Sequence, residues 1–598
     1  MARSASPWPG HGSAPPPGQP TDGRRVATCK FDSLHPEEPV STTPAPDETV
    51  NVAARLTAFA EILPDAVAVA QPHGSDRAGK RRYRQVTFRE LDHDSDRIAR
   101  GLREFGVMPG TRLALLVRPG IDFISLVFGL LKSAAVAILI DPGMGRRNLI
   151  RCLADAEPEG FIAIPRVHLV RTLLQGRFPK ARYNVTVGRR WFWDGITLDQ
   201  LRGEPWSGGE LVPTLSEDPA AVIFTTGSTG PPKGVLYRHG NFDAQVQQIR
   251  DFYGIEPGEI DLPGFPLFGL FNCAMGATAV IPDMDPSHPA RVDPDKIIEA
   301  VEDWSVTQTF GSPAIWSRVG RHCREHNLRL ASVRRVLSAG APVPADVLEQ
   351  MKGCIDPGGE IHTPYGATEA LPVASISARE VLGETAELTR QGAGVCVGRR
   401  FPGIQWKVIQ IVEGPIATLD EIHQLPSGEI GELIVRGPVV TQSYCTRVEA
   451  NLGSKIADGA TVWHRMGDSG YLDDTGRFWF CGRVAHRVLT AEGPMYPVRC
   501  EAVFNQHPDI YRSALVGVGP SGRQQPVIVL EPEKGRRPRT VAATEQLLTE
   551  IRGLGRVNPL TQNIHEFLIK PAFPVDIRHN AKIFREKLAV WASRRVGP

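Results

Sequence analysis

The chain has 598 residues, of which 41% are hydrophobic and 22% are charged. These proportions are close to globular averages, so they exclude a wholly disordered, collagen-like or polytopic membrane protein. The formal net charge is only +2 at pH 7, so no global field favours nucleic acid or an anionic membrane as a partner. At roughly 150 residues per domain, the length allows a large core with one or more appended domains.

The beginning of the chain is rich in Pro and Gly and lacks the apolar core of a signal peptide. We therefore expect residues 1–48 to be a disordered tail. The nine cysteines are dispersed and contain no Cys-x-x-Cys pair, which argues against a disulfide framework or a cysteine-rich zinc site. These features favour a protein of the reducing cytoplasm that does not bind nucleic acid.

The first predicted elements follow this tail. Apolar residues at helical spacing in VAARLTAFAEI, followed by VAVA, predict a helix and then a strand. Thr87, with Glu90 three residues later, predicts a capped helix that ends at Gly106. The most apolar stretch, residues 123–140, is interrupted by Lys132 and followed by Asp-Pro-Gly. We interpret it as a buried helix and a strand, and we expect no transmembrane segment.

Strand-like runs such as RLALLV, AVAILI, AAVIF and GELIVRG alternate with helical segments along most of the chain. This alternation predicts multilayer α/β architecture with largely parallel sheets. Residues 467–483 are dense in turn residues and aromatics, which predicts short strands joined by tight turns. The segments SALVGVG, VIVLEP and TEQLLTEIRGL then predict a compact α+β unit. We expect a large α/β domain at 49–482 and a small α+β domain at 483–598.

The sharpest local signal is the strand AAVIF followed directly by TTGSTGPPKG at residues 225–234. Glycines let the backbone approach a polyphosphate closely, hydroxyl and N–H groups donate hydrogen bonds, and the lysine adds an ammonium group. The spacing differs from GxxxxGK[ST], so the mechanism of P-loop hydrolases does not transfer. A generic flexible loop is the alternative. The residues predicted to contact phosphate are Thr225, Thr226, Gly227, Ser228, Thr229, Gly230 and Lys233.

This loop resembles the signature loop of the adenylate-forming superfamily, which includes acyl-CoA synthetases, peptide-synthetase adenylation domains and luciferases. Further motifs follow in the family's order: SAGAP at 338–342, YGATE at 365–369 and MGD at 466–468. The resemblance implies a small mobile C-terminal domain, ATP and Mg²⁺ as cofactors, and an aspartate that accepts hydrogen bonds from both ribose hydroxyls. The nucleotide-binding residues that it implies beyond the loop are Gly340, Ala341, Pro342, Tyr365, Gly366, Asp468 and Arg483.

The same resemblance implies individual roles in the chemistry. Ser228, Thr229 and Lys233 would hold the leaving pyrophosphate. Thr368 would touch the α-phosphate as a catalytic residue, and Glu369 would act as catalytic residue and Mg²⁺ ligand. These residue types suit the reaction, because attack of a carboxylate on ATP brings two anions together and the site must compensate their charge.

Two segments near the C-terminus depart from the family pattern. Lys582 stands where the family has its mobile catalytic lysine, but the preceding residues are Asn580 and Ala581 instead of Ser and Gly. The alternative for Lys582 is an ordinary solvent-exposed lysine of a basic helix. The hinge that begins at Arg483 has Ala485 and His486 where the family has Lys and Asp. The resemblance thus implies catalysis by Lys582, with an altered hinge.

Three weaker features remain. His239 follows the phosphate loop at a place where the superfamily often has a histidine near the acyl site, and it is a candidate base or positioning residue for the carboxylate. His322, Cys323 and His326 include a helical His pair without a third ligand nearby, so we expect a surface helix and no metal. The segment FPLFGLFNCAMGATAVIP fits an acyl tunnel and a buried helix and strand equally well.

Within the superfamily, GSTGPPKGVLYRHGNFDAQ, FPLFGLFNCAMGATAVIP and GSPAIWSRVG resemble the olefin β-lactone synthetases of long-chain olefin and β-lactone biosynthesis. This resemblance implies a long-chain 2-alkyl-3-hydroxy acid as substrate, a β-lactone as product, and other enzymes of the hydrocarbon pathway as partners. Two alternatives stay open. AEGPMYPVRCE partly resembles the strand that lines the pantetheine channel of acyl-CoA ligases, so a long-chain fatty-acyl-CoA ligase is one. The altered hinge and lysine motif motivate the other, a catalytically silent acyl-binding scaffold.

Overall fold

The structure is a computed structural model that describes residues 49–206, 208–225, 231–265, 267–575 and 583–596. The predicted tail, residues 1–48, therefore lies outside the described residues. The helices within them are α1 (Ala54–Ile62), α2 (Phe88–Glu104), α3 (Ile121–Lys132), α4 (Arg146–Asp155), α5 (Pro165–Leu173), α6 (Leu198–Arg202), α7 (His239–Tyr253), α8 (Phe268–Met275), α9 (Pro294–Trp304), α10 (Pro313–His326), α11 (Ala345–Cys354), α12 (Ala378–Glu380), α13 (Ala386–Arg390), α14 (Ala450–Ser454), α15 (Pro497–Phe504), α16 (Val541–Arg556) and α17 (Arg585–Ser593).

A seven-stranded sheet forms the first layer, and it is parallel except for its last pair. Helices of the α/β crossovers cover both of its faces, as parallel sheets require. In spatial order its strands are β7 (Ile196–Thr197), β6 (Tyr183–Thr186), β5 (Gly160–Ala163), β3 (Arg112–Leu116), β4 (Val136–Leu139), β8 (Pro219–Phe224) and β9 (Gly234–Arg238).

A nine-stranded sheet forms a second layer with a parallel centre and antiparallel pairs at both edges. The two large sheets confirm the predicted multilayer α/β architecture. In spatial order the strands are β17 (Arg399–Arg400), β15 (Ala370–Ser377), β14 (Glu360–Ala367), β13 (Arg335–Ser338), β12 (Gln308–Gly311), β10 (Ile260–Pro263), β11 (Thr278–Val280), β1 (Val67–Ser75) and β2 (Arg81–Thr87).

The third sheet is antiparallel throughout. GELIVRG forms a strand here, outside the largely parallel sheets that the alternation predicted; its neighbours return through turns and loops instead of crossover helices. Residues 467–483 form a hairpin whose first strand has 12 residues, longer than predicted. The strands are β16 (Val395–Cys396), β22 (Phe478–Arg483), β21 (Thr461–Leu472), β19 (Gly431–Arg436) and β18 (Gln405–Ile409), with β20 (Lys455–Asp458) paired to β21.

The C-terminal segment has sheets and apolar clusters of its own. α15 and α16 pack on one face of its main sheet through Phe504 and Ile551, and α17 packs on the other through Leu588. This is the α+β pattern expected from the sequence, and the domain boundary at Arg483 stays a prediction. The strands are β23 (Val488–Thr490), β24 (Gly493–Met495), β25 (Ile510–Val518), β26 (Gln525–Pro532) and β27 (Glu566–Ile569).

Local signals of the N-terminal half are confirmed. The Thr87 hydroxyl accepts from the Glu90 N–H at 3.2 Å, and the Glu90 carboxylate accepts from the Thr87 N–H at 2.8 Å, which together cap α2. The apolar stretch 123–140 lies in α3 and β4. Among the described helices, none combines the length and the apolarity that a bilayer crossing requires.

Lys132, which interrupted that apolar stretch, is fully buried at the end of α3. Its ammonium donates to Asp92 Oδ1 at 2.6 Å and to Asp96 Oδ1 at 2.5 Å, both on α2, and to the Asp92 carbonyl at 3.1 Å. Burial raises the pKa of Asp96, and Lys132 opposes that rise. A buried charge of this kind is tolerated because it is paired and hydrogen-bonded, and the network fixes α3 against α2.

We predict that Lys132→Met lowers the free energy of unfolding by about 3–5 kcal/mol, because it leaves two buried carboxylates without their ammonium partner. Urea unfolding followed by tryptophan fluorescence measures the change. Lys180→Met is the matched control, since Lys180 pairs with Glu157 where both side chains are more than half exposed; it should cost less than about 1 kcal/mol. Equal costs for the two variants would contradict the prediction.

Candidate active site

The sequence motifs meet at the carboxyl ends of parallel strands in the two large sheets. β8 ends before the loop 225–234, β13 ends before Gly340, and β14 runs into the YGATE segment. Ligands of open α/β sheets bind at this edge. A cavity of about 1720 Å³ lies there, and its lining includes the predicted site residues Thr225, Lys233, Gly340, Gly366, Thr368, Glu369 and Arg483.

The phosphate loop is closed at its base by two hydrogen bonds. The Thr225 N–H donates to the Lys233 carbonyl at 3.0 Å, and the Lys233 N–H donates to the Thr225 hydroxyl at 3.1 Å. The predicted phosphate contacts Thr226, Gly227, Ser228, Thr229 and Gly230 lie outside the described residues. Burial lowers the pKa of Lys233, and the nearby Glu369 opposes this shift. The Lys233 ammonium group and the Glu369 carboxylate are therefore close enough to interact electrostatically.

Glu369 is held from two sides. The Tyr444 hydroxyl donates to Glu369 Oε1 at 2.6 Å, while the Thr441 N–H and hydroxyl both donate to the Glu369 carbonyl, at 2.9 Å and 3.0 Å. Its neighbour Thr368 is fixed through its carbonyl, which accepts from the Tyr237 hydroxyl at 2.6 Å. These bonds orient the carboxylate of Glu369 and use one of its two oxygens.

Tyr444 connects this carboxylate to two lysines. The Lys233 and Lys455 ammonium groups lie 4.6 Å and 5.9 Å from the centre of its ring, a cation–π arrangement. Lys455, at the start of β20, also donates to the carbonyl of Thr441. Burial lowers the pKa of Lys455 to about 7; Glu369 opposes this shift and Lys233 adds to it.

Asp468 lies at the centre of a second group. It is 4% exposed, accepts from the Tyr365 hydroxyl at 2.5 Å through Oδ2, and accepts from Arg483 at 2.7 Å through Oδ1. Arg483 also donates to the Met466 carbonyl at 3.1 Å. Burial, followed by the negative charge of Asp468, raises the pKa of Tyr365 well above its ordinary value. Each carboxylate oxygen has two acceptor positions, so Asp468 retains capacity for the predicted ribose hydroxyls.

The loop after β13 and the YGATE segment approach the cavity through glycines. Gly340 has a φ of +94°, a conformation that disfavours other residues. A Cβ atom on Gly366 would lie 2.6 Å from the Ala370 carbonyl oxygen, so no side chain fits there. Ala341 and Pro342 follow Gly340 but do not line the cavity, and their nucleotide contacts stay predictions.

His239 is fully buried at the start of α7 and does not line the cavity. Its Nδ1 accepts from the Val52 N–H at 3.4 Å, and its Nε2 has no partner in the described part of the chain. Burial lowers the pKa of His239 to about 4, so the ring is neutral at pH 7. Its role as a base or positioning residue stays a prediction.

Lys582 lies outside the described residues, and its catalytic role stays a prediction. The described segment that follows it contacts the altered hinge, because His486 Nε2 lies 3.0 Å from Glu586 Oε1 on α17. Burial lowers the pKa of His486 to about 4, and Arg585 adds to the shift. The residue that departs from the family pattern at the hinge therefore contacts the helix that follows Lys582.

The predicted surface helix with a His pair is α10. His322 Nε2 lies 2.9 Å from Asp295 Oδ1, and the His322 and His326 rings lie 4.3 Å apart. Cys323 is buried in the apolar cluster beneath. Within the described ranges, no group of three His, Cys, Asp or Glu side chains is arranged to hold a metal ion.

The segment FPLFGLFNCAMGATAVIP forms the helix and strand of one interpretation, and the acyl tunnel of the other stays a prediction. It forms α8 and β11, as a buried helix and strand would, and Phe268, Phe271 and Ala274 of α8 line the cavity. The cavity wall formed by these residues is therefore apolar beside the polar motifs.

Sequence reasoning missed Tyr444, Thr441 and Lys455. Tyr444 lies 75 residues from Glu369 in the chain, and no local spacing connects the two. In the sequence, Lys455 is a lysine at the start of a short strand. Such a lysine is also typical of an exposed strand end, so it gives no specific signal. Tertiary structure alone brings these side chains to the site.

We predict that the stability of the native chain relative to Lys455→Met rises with pH. The pKa of Lys455 is about 7 in the folded state against 10.5 ordinarily, so the unfolded chain binds more protons between these values. The difference should grow by at most about 1.4 kcal/mol per pH unit in this window. Urea unfolding across the window measures it. The exposed Lys352, changed to Met, is the control; a pH-independent difference for Lys455→Met would contradict the lowered pKa.

Solved structures share this fold. The amide bond synthetase McbA from Marinactinospora thermotolerans is 22% identical, with a TM-score of 0.73, and the match covers 90% of this chain and 99% of that one. ATP-bound MatB from Rhodopseudomonas palustris is 20% identical with a TM-score of 0.72, covering 91% and 99%. At such identities the likeness shows the fold alone.

Sequence comparison is more specific. A family model described as AMP-binding enzyme matches residues 56–445. Curated relatives include the olefin β-lactone synthetases of Xanthomonas campestris pv. campestris, 44% identical, and Stenotrophomonas maltophilia, 45% identical, each covering 91% of this chain and 98% of the relative. A feruloyl-CoA synthase of Amycolatopsis is 28% identical over 72% of this chain and 80% of the relative. The chain therefore belongs to the AMP-binding enzyme family, as an ATP-dependent adenylate-forming ligase of the olefin β-lactone synthetase group.

Proposed function

We propose that this enzyme uses ATP and Mg²⁺ to adenylate a long-chain 2-alkyl-3-hydroxyalkanoic acid and then closes it to a β-lactone. AMP and pyrophosphate are released, and the reaction belongs to long-chain olefin or β-lactone biosynthesis. The observation that carries this proposal is the identity of 44% and 45% to two olefin β-lactone synthetases over 91% of the chain. An apolar cavity beside the polar motifs supports a long-chain acid as substrate.

The described side chains fit ATP and Mg²⁺. Arg483 lines the cavity, and its buried Nε has no partner among the described residues, so it can donate to a nucleotide oxygen. Asp468 would accept from the ribose, and Lys233 would contact the phosphates. Glu369 would hold Mg²⁺, which when bound neutralises charge on the polyphosphate oxygens.

In the first half-reaction, a carboxylate oxygen of the acid attacks the α-phosphorus of ATP. The bond from this phosphorus to the bridging oxygen breaks, and pyrophosphate leaves with the electron pair. Lys233 and Arg483 lower the repulsion between the two anions, because their positive charges are fixed in place before the reaction. We propose that Lys582 adds an ammonium group between the carboxylate and the α-phosphate.

In the second half-reaction, the 3-hydroxyl oxygen of the acyl-adenylate attacks its own activated carbonyl carbon. The hydroxyl proton passes to solvent, and the new C–O bond closes the four-membered ring. The bond between the carbonyl carbon and the phosphate oxygen breaks, and AMP leaves with its electron pair. Both reacting groups belong to one molecule, so orientation replaces a second binding event. Phe268 and Phe271 help to exclude water, which competes for the adenylate.

A fatty-acyl-CoA ligase is the second candidate, and the feruloyl-CoA synthase relative favours it. In that reaction the CoA thiol replaces the internal hydroxyl. Mass spectrometry of the products formed from ATP, Mg²⁺ and a 2-alkyl-3-hydroxy acid, with and without CoA, separates the two: a β-lactone without CoA supports the proposal, and a CoA-dependent thioester overturns it. A silent scaffold would give no ATP–pyrophosphate exchange at all.

We predict that a 2-alkyl acid lacking the 3-hydroxyl stalls as a bound adenylate. Pyrophosphate should be released in an amount close to that of the enzyme, but AMP should not, because the nucleophile is missing and the apolar wall excludes water. Rapid-quench assays of both products measure this, and CoA should not change the result. Prompt AMP release on adding CoA would favour the ligase.

We predict that Lys233→Ala and Glu369→Ala each lower ATP–pyrophosphate exchange by about 100-fold or more, because each removes charge compensation from the polyphosphate. Thermal unfolding should show folded proteins in both cases. The exposed Lys352, changed to Ala, is the control and should exchange normally. Exchange at the native rate in either site variant would refute its role.

A further inference from the structure

The cavity reaches both faces of the seven-stranded sheet. Leu115 and Leu116 at the end of β3 both line it, as do Ile223 and Phe224 at the end of β8. Successive side chains of a strand point to opposite faces. Leu115 accordingly packs in the apolar cluster of one face, and Phe224 packs in that of the other. One cavity therefore has two arms, which are separated by the carboxyl edge of the sheet.

The inner arm is the part of the cavity on the face covered by α3, α7 and α8. Phe128, Val246, Phe268 and Phe271 line it and pack in the same apolar cluster as Leu115. Helix α8 lines this arm, and it comes from the segment for which an acyl tunnel was one of two interpretations. The inner arm accounts for one hydrocarbon chain.

The outer arm is the part of the cavity between the opposite face of the sheet and helices α4 and α5. Leu149, Leu153, Val167 and Phe178 line it, and the Phe178 ring packs edge-on against the buried Phe161. None of these residues takes part in the two half-reactions described above.

Charged residues also line the cavity near α4 and α5; one of them, Arg447, lies 3.7 Å from Asp155 of α4. Arg146 and Arg166 are exposed, so they lie at the solvent end of the outer arm, while Arg171 donates to Asp194 at 2.9 Å. The buried Arg171 also lines the cavity, and its Nε has no partner among the described residues. Leu149, Leu153, Val167 and Phe178 nevertheless form an apolar wall on this side, which suits a hydrocarbon.

We propose that the outer arm binds one alkyl chain of an α-branched acid while the inner arm binds the other. This inference rests on the proposed function, in which the acid carries one chain at C2 and a second at C3. A linear acid has one chain and fills one arm. Two chains that leave adjacent carbons need two apolar spaces that diverge from the reacting carboxylate, and the edge of the sheet separates the two spaces here.

Burial of each methylene in such an arm contributes a factor of about four in affinity. An arm that is blocked near its middle should thus penalise long branches steeply and short branches little. The effect to measure is a change in preference between branched and linear acids, because any general damage to the enzyme affects both equally.

The test introduces a large side chain into the outer arm. Val167→Trp on α5 and Leu149→Trp on α4 block it from two walls, and both positions are partly exposed, which favours folding. Leu173→Trp is the control, since Leu173 lies on α5, is 76% exposed and does not line the cavity. Three acids are compared: a linear 3-hydroxy acid, its 2-decyl derivative, and a 2-decyl fatty acid without the hydroxyl.

ATP–pyrophosphate exchange gives KM for each acid. We expect the ratio of branched to linear KM to rise at least about tenfold in both arm variants, which corresponds to two or more displaced methylenes, and to stay unchanged in Leu173→Trp. An unchanged ratio of branched to linear KM in both folded variants would overturn the proposal. An equal rise of KM for all three acids would also overturn it, because that result is expected if this space is an exit route for pyrophosphate. The acid without a hydroxyl reports on the arm even if no β-lactone forms, so failure of the proposed function is seen separately.

Discussion

The active site depends on compensation between charges that are buried together. Lys233, Lys455 and Arg483 bring positive charge into the same region, against the carboxylates of Glu369 and Asp468. Arg483 donates a hydrogen bond to Asp468. The Glu369 carboxylate interacts electrostatically with both Lys233 and Lys455. The lowered pKa of Lys455 relieves part of the remaining repulsion. The pocket is thus prepared for an anion, whose arrival supplies the charge that the protein leaves uncompensated.

Much of this arrangement could be predicted because it is encoded in short segments. The capped start of α2, the buried helix of residues 121–132 and the strand β8 each depend on neighbours within a few positions. The order of the YGATE and MGD motifs implied that they meet, and the hydrogen bonds from Tyr365 and Arg483 to Asp468 join them; their nucleotide contacts stay predictions. Motif order was sufficient to bring these residues together.

The remainder depends on contacts that local pattern does not record. GELIVRG has the composition of a strand in either kind of sheet, and only its partners β18 and β21 make it antiparallel. Tyr444 reaches Glu369 across 75 residues. Lys132 marked a break in an apolar run, but its two partners on α2 lie 36 and 40 residues away. In each case the structure depends on a partner that is far away in the sequence.

The divided cavity has a consequence for how substrate range can change over evolution. α4 and α5 cover one face of the seven-stranded sheet, and α7 and α8 cover the other, so substitutions in the two helix pairs are separated by the sheet itself. Effects of distant and unconnected positions combine additively. If each arm binds one alkyl chain as proposed, substitutions on one side of the sheet would change the chain length accepted there without changing the other side.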